Sequence, residues 1–331
     1  MAEAICLGEL LIDFVPTVTG VDLIDAPAFV KAPGGAPGNV AVGLARLGIP
    51  SAFMGKVGDD PFGHFLAKTL AEAGVDVGPL RFSAEARTAL AFVSLRADGE
   101  REFMFYRHPS ADLLFDSREV DVAAIQRAKL LHFGSISLIG EPSRGATLHA
   151  VAAARAAGCL VSYDPNLRLP LWPDATAARD GMLLGLRKAH VVKLSDDESE
   201  FLTGIDNLEN ACKALWHGEL KLMVVTRGRA GCVYFTPAFS GTVESFTVEA
   251  VDATGAGDGF VAGLLQGLLA DPTTFEDEAR LRELCRFANA VGALATTQRG
   301  AIPALPDRER VREFLSSRKS VLTIIPDESA G

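Results

Sequence analysis

Cysteine is scarce and shows no pairing pattern. Cys6, Cys159, Cys212, Cys232 and Cys285 are the only five, widely scattered and without a Cys-x-x-Cys spacing. This argues against a zinc knuckle or a disulfide framework and suits small apolar core residues in a reducing compartment. Long apolar runs are also missing. A membrane-spanning helix needs about 18–20 uninterrupted apolar residues, and the best stretch, residues 5–15, is broken by Glu9 and Asp13. Basic charge is in deficit: 32 Lys and Arg against 42 Asp and Glu give a net charge of −10. A nucleic-acid or anionic-membrane surface is therefore not expected, although a local basic pocket for phosphate is compatible with that balance. The first eight residues run directly into an apolar strand, with neither a signal peptide nor an Arg/Ser-rich leader, so a cytoplasmic protein is expected. None of the six histidines has metal-ligand spacing or a paired nucleophile motif. His108 reads as a loop residue, and Trp172 and Trp216 as packing residues. Low-complexity segments and internal repeats are absent.

What remains is a chain of 331 residues, 48% hydrophobic and 22% charged, enough for a sizeable buried core. Short runs rich in Val, Ile, Leu and Phe alternate with stretches of helical period. Strands are expected at 4–7, 10–15, 130–133, 159–163, 191–194 and 221–226. Helices are expected at 40–47, 62–73, 144–157, 175–189, 257–269, 276–297 and 307–318. The helix at 62–73 has Asp60 as N-cap, Pro61 at its first position and Gly74 as its stop. This alternation predicts an α/β fold: a mostly parallel sheet with helices on both faces. Two segments depart from it. Residues 88–95 and 101–106 form a hairpin pattern around Arg96–Glu100, and 17–32 is strand and turn, neither followed by a crossover helix. We expect one α/β domain over 1–331 with a small β lid made of segments near 14–32 and 88–107, covering a cleft.

Three glycine-rich stretches could hold anions. A P-loop fails because Pro50 stands where the first glycine is required, and a dinucleotide fingerprint fails because Phe260 replaces the last glycine. The strongest stretch is 251–265, where a strand-like run ends near Val251 and Gly255-Ala256-Gly257-Asp258 opens an apolar helix. Unpaired N–H groups and the positive end of the helix dipole make a phosphate cradle there, and glycine lets the backbone approach the ligand. Asp258 has two readings: a carboxylate that favours the helix start, or a base beside the anion cradle that takes a proton from a hydroxyl.

This segment resembles the second hallmark motif of the ribokinase-like (PfkB) carbohydrate kinases. The first hallmark is matched by Ala32-Pro-Gly34-Gly35-Ala-Pro-Gly38-Asn39-Val-Ala-Val-Gly43, with Gly55-Lys-Val-Gly58-Asp-Asp-Pro-Phe-Gly63 downstream. Similarity continues through Gly8–Pro16, Phe105–Asp112 and Ser162–Trp172, segments that resemble fructokinases in particular. The resemblance implies a ribokinase-like fold and assigns Asp258 as general base, with the backbone of Gly255, Ala256, Gly257 and Asp258 as anion hole. It implies sugar contacts from Asp13, Gly34, Gly35 and Asn39, although Asn39 also reads as a helix N-cap and Asp13 as a polar strand end. Arg107 and Arg168 correspond to cations near the substrate, with surface salt bridging as the alternative. Lys193, Thr226, Gly228, Gly231 and Asn289 correspond to the ATP side. Glu198 is implied in a water-mediated magnesium contact, and Asp252 and Thr254 in a monovalent-cation site for potassium. Three positions depart from the family pattern: Ser195 where Asn is usual, Arg227 where an apolar residue is usual, and Ala253 where Thr is usual.

The function this implies is phosphorylation of D-fructose by ATP to fructose 6-phosphate. The alternatives are a kinase for another sugar such as 2-keto-3-deoxygluconate, whose acid group Arg107 or Arg168 would meet, and a non-catalytic member with a binding or regulatory role. A lid apolar on both faces further predicts a homodimer formed through the lids.

Overall fold

The computed structural model describes residues 1–18, 20–95 and 101–319. The strands, in chain order, are β1 (Ala4–Leu7), β2 (Leu11–Pro16), β3 (Phe29–Gly34), β4 (Ser51–Gly58), β5 (Leu80–Ser83), β6 (Leu90–Leu95) and β7 (Arg101–Tyr106). They continue with β8 (Leu130–Gly134), β9 (Leu160–Asp164), β10 (Val191–Ser195), β11 (Leu222–Thr226), β12 (Cys232–Phe235) and β13 (Ser240–Val243). The helices are α1 (Ala36–Arg46), α2 (Pro61–Glu72), α3 (Val122–Arg127), α4 (Ser143–Ala156), α5 (Ala175–Leu186) and α6 (Asp196–Thr203). After them come α7 (Leu208–Leu215), α8 (Ala256–Ala270), α9 (Glu278–Ala295), α10 (Ala301–Ala304) and α11 (Arg308–Lys319).

Among the described residues nine strands form one sheet in the order β13-β12-β11-β10-β9-β8-β1-β4-β5. Its pairs are parallel from β11 through to β5; β12 and β13 close one edge antiparallel. Side chains alternate between the two faces, so neighbours in one strand enter different cores. Ala4, Cys6, Leu222 and Val224 join α1, α2, α8, α9 and α11, whereas Ile5, Leu7, Met223 and Val225 join α3 to α7. Each fully buried Leu, Ile or Val stabilises the fold by about 1.5–3 kcal/mol relative to exposure, which is why runs as short as Leu130–Gly134 suffice as central strands.

The chain order reverses around β1, which has β4 on one side and β8 on the other. A parallel sheet opens a crevice beyond its carboxyl ends at such a switch. On one side of this crevice, α8 packs against α9 through Gly259, Gly263 and Gly267. A methyl group on Gly263 would stand 2.9 Å from Ala288 Cα, and one on Gly267 would collide with Leu284.

The small sheet, ordered β3-β2-β6-β7, is the expected β lid. β2 and β6 run parallel and the other two pairs antiparallel. The hairpin turn at 96–100 lies outside the described residues. Asp60 ties the lid to the body: it caps α2 through the Phe62 and Gly63 N–H groups and also accepts from the Thr88 N–H and hydroxyl, two residues before β6. Three expectations need correction. Residues 244–250 form no strand before Val251, α1 begins at Ala36 rather than Val40, and β12–β13 is an antiparallel pair that the strand–helix rule did not anticipate.

Candidate active site

Gly255 is the N-cap of α8, and its φ of +79° turns the chain into the helix in a conformation that suits glycine. The first intrahelical bond runs from the Gly259 N–H to the Gly255 carbonyl at 2.8 Å. The Ala256 N–H turns back to the Ala253 carbonyl at 3.3 Å, so the Gly257 and Asp258 N–H groups are the donors at the open helix end. Of the expected run Gly255–Asp258, the Ala256 N–H is the one turned back into the loop.

Asp258 lies in this first turn with its carboxylate buried. Asn39 Nδ2 donates to Asp258 Oδ2 at 2.8 Å, joining the two glycine-rich segments across 219 residues of chain. Asn39 is the fourth residue of α1, and Gly35 occupies the N-cap, so the cap reading of Asn39 falls. Burial pushes the Asp258 carboxyl up to about 6, with Asn39, Lys193 and Arg168 holding it down and Asp164 adding to the rise. A carboxylate set there is ionised at neutral pH and still basic enough to share a proton. Burial alone would pull the Lys193 ammonium down; Asp164, Glu198 and Asp258 outweigh it and raise it. Lys193 Nζ bonds Asp164 at 3.0 Å and comes within 3.3 Å of where a methyl group on Gly257 would stand.

Two cavities meet at the start of α8. One, of about 200 Å³, is lined by Asp13, Gly35, Asn39, Asp164, Arg168, Lys193, Gly255, Gly257 and Asp258, with Leu11, Val15, Val93 and Phe105 of the lid above it. The other, of about 430 Å³, is lined by Thr226, Gly228, Arg229, Gly231, Phe246, Val248, Phe260, Asn289 and Ala293. Ala253 and Gly257 belong to both. A polar chamber with an acceptor-rich rim therefore opens beside a larger and more apolar one, and the helix N-terminus stands between them.

The pfkB family carbohydrate kinase pattern matches residues 1–308. The chain belongs to the pfkB family of carbohydrate kinases. Among pfkB kinases it is 56% identical to probable fructokinase-4 of Arabidopsis thaliana over 312 residues, 94% of this chain and 96% of that protein. The fold is ribokinase-like. It is similar to the fructokinase of Xylella fastidiosa with bound ATP, with a TM-score of 0.89 at 36% identity, covering 96% of this chain and all (100%) of that one. It is also similar to a double mutant of the Vibrio cholerae O395 fructokinase bound to fructose, ADP and a potassium ion, with a TM-score of 0.86 at 36% identity over 95% and 98% of the two chains.

Most residues expected from sequence gather at these cavities; several sit differently from the expectation. Gly34 lies under the Asp13 carboxylate, where any side chain would collide with it. Arg107 is only 2% exposed, is ion-paired with Asp112 and is not among the residues lining the smaller cavity. Lys193 faces the smaller cavity and a third space of about 340 Å³ lined by Asn166, Arg168, Ser195, Asp197 and Glu198, rather than the larger chamber. Asn289 lines the larger chamber, yet its Nδ2 is taken up by the Val243 and Glu244 carbonyls, 3.2 Å each, and so ties α9 to the end of β13. Glu198 forms a reciprocal capping box with Ser195 at the start of α6, and its other oxygen accepts the Leu167 N–H at 2.8 Å. Asp252 accepts from the Thr254 N–H and hydroxyl at 2.9 and 2.6 Å and from the Gly300 N–H at 2.9 Å.

Two charged residues of the smaller cavity carried no expectation. Asp164 ends β9 and grips Lys193; its signal in the sequence is an acid at the end of an apolar run. Glu9 follows β1, and its signal is a charge inside an otherwise apolar stretch.

Proposed function

We propose that the protein is an ATP-dependent fructokinase that converts D-fructose and ATP to fructose 6-phosphate and ADP. The observation that carries this reading is the junction of the two cavities at the start of α8, with the Asp258 carboxylate on the smaller side. Fructose occupies the smaller cavity, where Asp13 and Asn39 suit its hydroxyls, and the nucleoside of ATP occupies the larger one. Asp258 takes the proton from the 6-hydroxyl as its oxygen bonds to the γ-phosphorus. The bond from that phosphorus to the bridging oxygen of ADP breaks, and the Gly257 and Asp258 N–H groups receive the charge on the transferring group. Lys193, beside Gly257, and Arg168 neutralise that charge.

The third space suits magnesium held through waters, because Glu198 is fixed by its two backbone bonds and Asp197 lies beside it. When bound, magnesium neutralises the β- and γ-phosphates. Asp252 and Thr254, in an oxygen-rich turn that meets the α8 start, would hold potassium. The engagement of Arg107 by Asp112 favours a neutral sugar over 2-keto-3-deoxygluconate, since one of the two cations considered for the acid group is already paired.

The deciding experiment is ADP release with magnesium–ATP and potassium across fructose, glucose, mannose, ribose, adenosine and 2-keto-3-deoxygluconate. Selective turnover of fructose is expected. Preference for the keto-acid would overturn the substrate, and bound ATP and sugar without turnover would revive the non-catalytic alternative.

We further read residues 1–331 as one α/β unit with its lid. Among the described residues no helix is long and apolar enough to cross a membrane. The five cysteines are free and buried, which supports a reducing, cytoplasmic setting. The lid leaves Val30 60% and Tyr106 57% exposed, on opposite faces of its sheet. Such surfaces support a homodimer joined through the lids. Sedimentation at micromolar concentration should give a dimer for the wild type and a monomer for Val30→Asp; a monomeric wild type would overturn this assembly.

A further inference from the structure

Glu9 stands at the meeting point of three segments that shape the sugar cavity. It is 3% exposed, lines the cavity, and lies two residues beyond β1. Its Oε1 accepts the N–H of Ala36, the first residue of α1, at 3.2 Å. Its carbonyl oxygen lies where a methyl group on Gly35 would come within 2.5 Å, so Gly35 and Glu9 are in close backbone contact. Among the described residues the remaining oxygen, Oε2, is buried with no hydrogen-bond partner, and so is Nε of Arg107. Arg107 follows the last lid strand, and its ion pair with Asp112 acts on Glu9: Arg107 attracts the carboxylate and Asp112 opposes it.

We propose that Glu9 is a positioning residue for sugar binding, whose ionised carboxylate joins the Arg107–Asp112 pair at the root of the lid to the first turn of α1 and so sets Gly35 and Asn39 for the substrate. The inference rests on the kinase reading above. Asn39 carries both its own bond to Asp258 and a buried Oδ1 without a partner, so a small displacement of the α1 start changes the sugar contacts and the base together. A buried carboxylate with one unsatisfied oxygen is costly unless a charge compensates it, and the lid arginine is that charge. Burial pushes the Glu9 carboxyl up to about 7, with its own backbone N–H, Arg107 and the Ala36 bond opposing and Asp112 adding to the rise. The other charged groups lining the cavity are Asp13, Asp164, Lys193, Arg168 and Asp258. Because the ionised form is the one that closes the joint, sugar binding should release a proton and tighten as pH rises through about 7.

The test compares the full-length wild type with Glu9→Gln, which keeps an acceptor for the Ala36 N–H and removes the charge. Calorimetry of wild-type sugar binding near neutral pH, in buffers of different ionisation heat, should show a net release of roughly half a proton, absent in the variant. The variant should raise the KM for the sugar about tenfold above neutral pH, with kcat and the KM for ATP held within about twofold. Binding without proton release in the wild type overturns the proposal, whether or not the variant folds. An unchanged sugar KM in Glu9→Gln, or a loss of kcat as large as the rise in KM, also overturns it. In all these outcomes the wild type still phosphorylates fructose, so the kinase reading stands; failure of the wild type to bind any sugar would remove that reading and this role with it.

Discussion

Replacing Asp258 with asparagine is expected to lower kcat by about 10²–10⁴-fold, the contribution of a positioned base, while ATP and fructose still bind. The substitution keeps the shape of the side chain and an acceptor for the amide of Asn39, which donates to Asp258 Oδ2 at 2.8 Å. It removes only the ability to take the hydroxyl proton. Stability should not suffer. Burial raises the Asp258 carboxyl to about 6 from the ordinary 3.8, so the folded state holds its proton more tightly than the unfolded chain does. Ionising it therefore costs stability as pH rises from about 4 to about 6, and the asparagine variant escapes that cost. Its melting temperature at neutral pH should equal or exceed that of the wild type. The same shift sets the acid limb of activity. The base is lost by protonation, so kcat at saturating sugar should fall by about tenfold per pH unit below about 6, the position set by the carboxyl. Retention of more than about a tenth of the wild-type rate by Asp258→Asn would remove Asp258 from the role of base, and so would an acid limb shared by wild type and variant.

How much of this site could be read from the chain depends on whether a residue acts through local or distant contacts. The glycine cradle was legible because its chemistry is local: Gly255, with φ of +79°, and the donors that follow occupy consecutive positions at a helix start. The alternating strands and helices were legible for the same reason, since each strand sends neighbouring residues into the two cores. The β12–β13 pair was less legible. It forms an edge of the sheet without a crossover helix, and its strands are only four residues each. The stretch before Val251 has strand-like composition, but its backbone finds no ladder partner strand; the Val251 and Asp252 N–H groups go instead to the Thr296 carbonyl at 2.8 and 3.1 Å. The family resemblance pointed Arg107 toward the substrate, with salt bridging as the alternative; the fold brings Asp112 against it and buries both. Ser195 and Glu198 carry the reverse lesson. Their spacing is a capping box readable from the residues alone, and the backbone bonds it makes account for a serine where the family more often has asparagine. The Asn39–Asp258 bond, by contrast, is a property of the tertiary structure that no local pattern encodes.

Replacing Gly255 with alanine should cost about 10²–10³-fold in kcat, the loss expected when a preorganised donor is displaced from a developing charge. Two strains act at this one position. The left-handed backbone costs a residue with a Cβ about 1–2 kcal/mol. The new methyl group would also stand 2.8 Å from the Ala301 Cβ and 2.9 Å from the Ala301 Cα, in a packed wall with no flexible tip to swing aside. Relief requires the helix start or the 300–301 segment to move. The Gly300 N–H is bonded to Asp252 Oδ2, so movement of that segment passes directly to the Asp252–Thr254 turn proposed for potassium. The variant should consequently need more potassium for half-maximal activity, while its sugar KM changes little because Asp13 and Gly34 lie on the other side of the cavity. Gly257 is the internal control. Its φ is not in the left-handed region, and a methyl group there meets only the ammonium end of Lys193 at 3.3 Å, a side chain that can shift. Gly257→Ala should lose about tenfold or less. The greater damage therefore belongs to the glycine farther from the carboxylate, the reverse of what distance from Asp258 alone would give. If Gly257→Ala proves the more harmful of the two, or Gly255→Ala keeps the wild-type rate and potassium response, the cradle is not held by the Gly255–Ala301 contact.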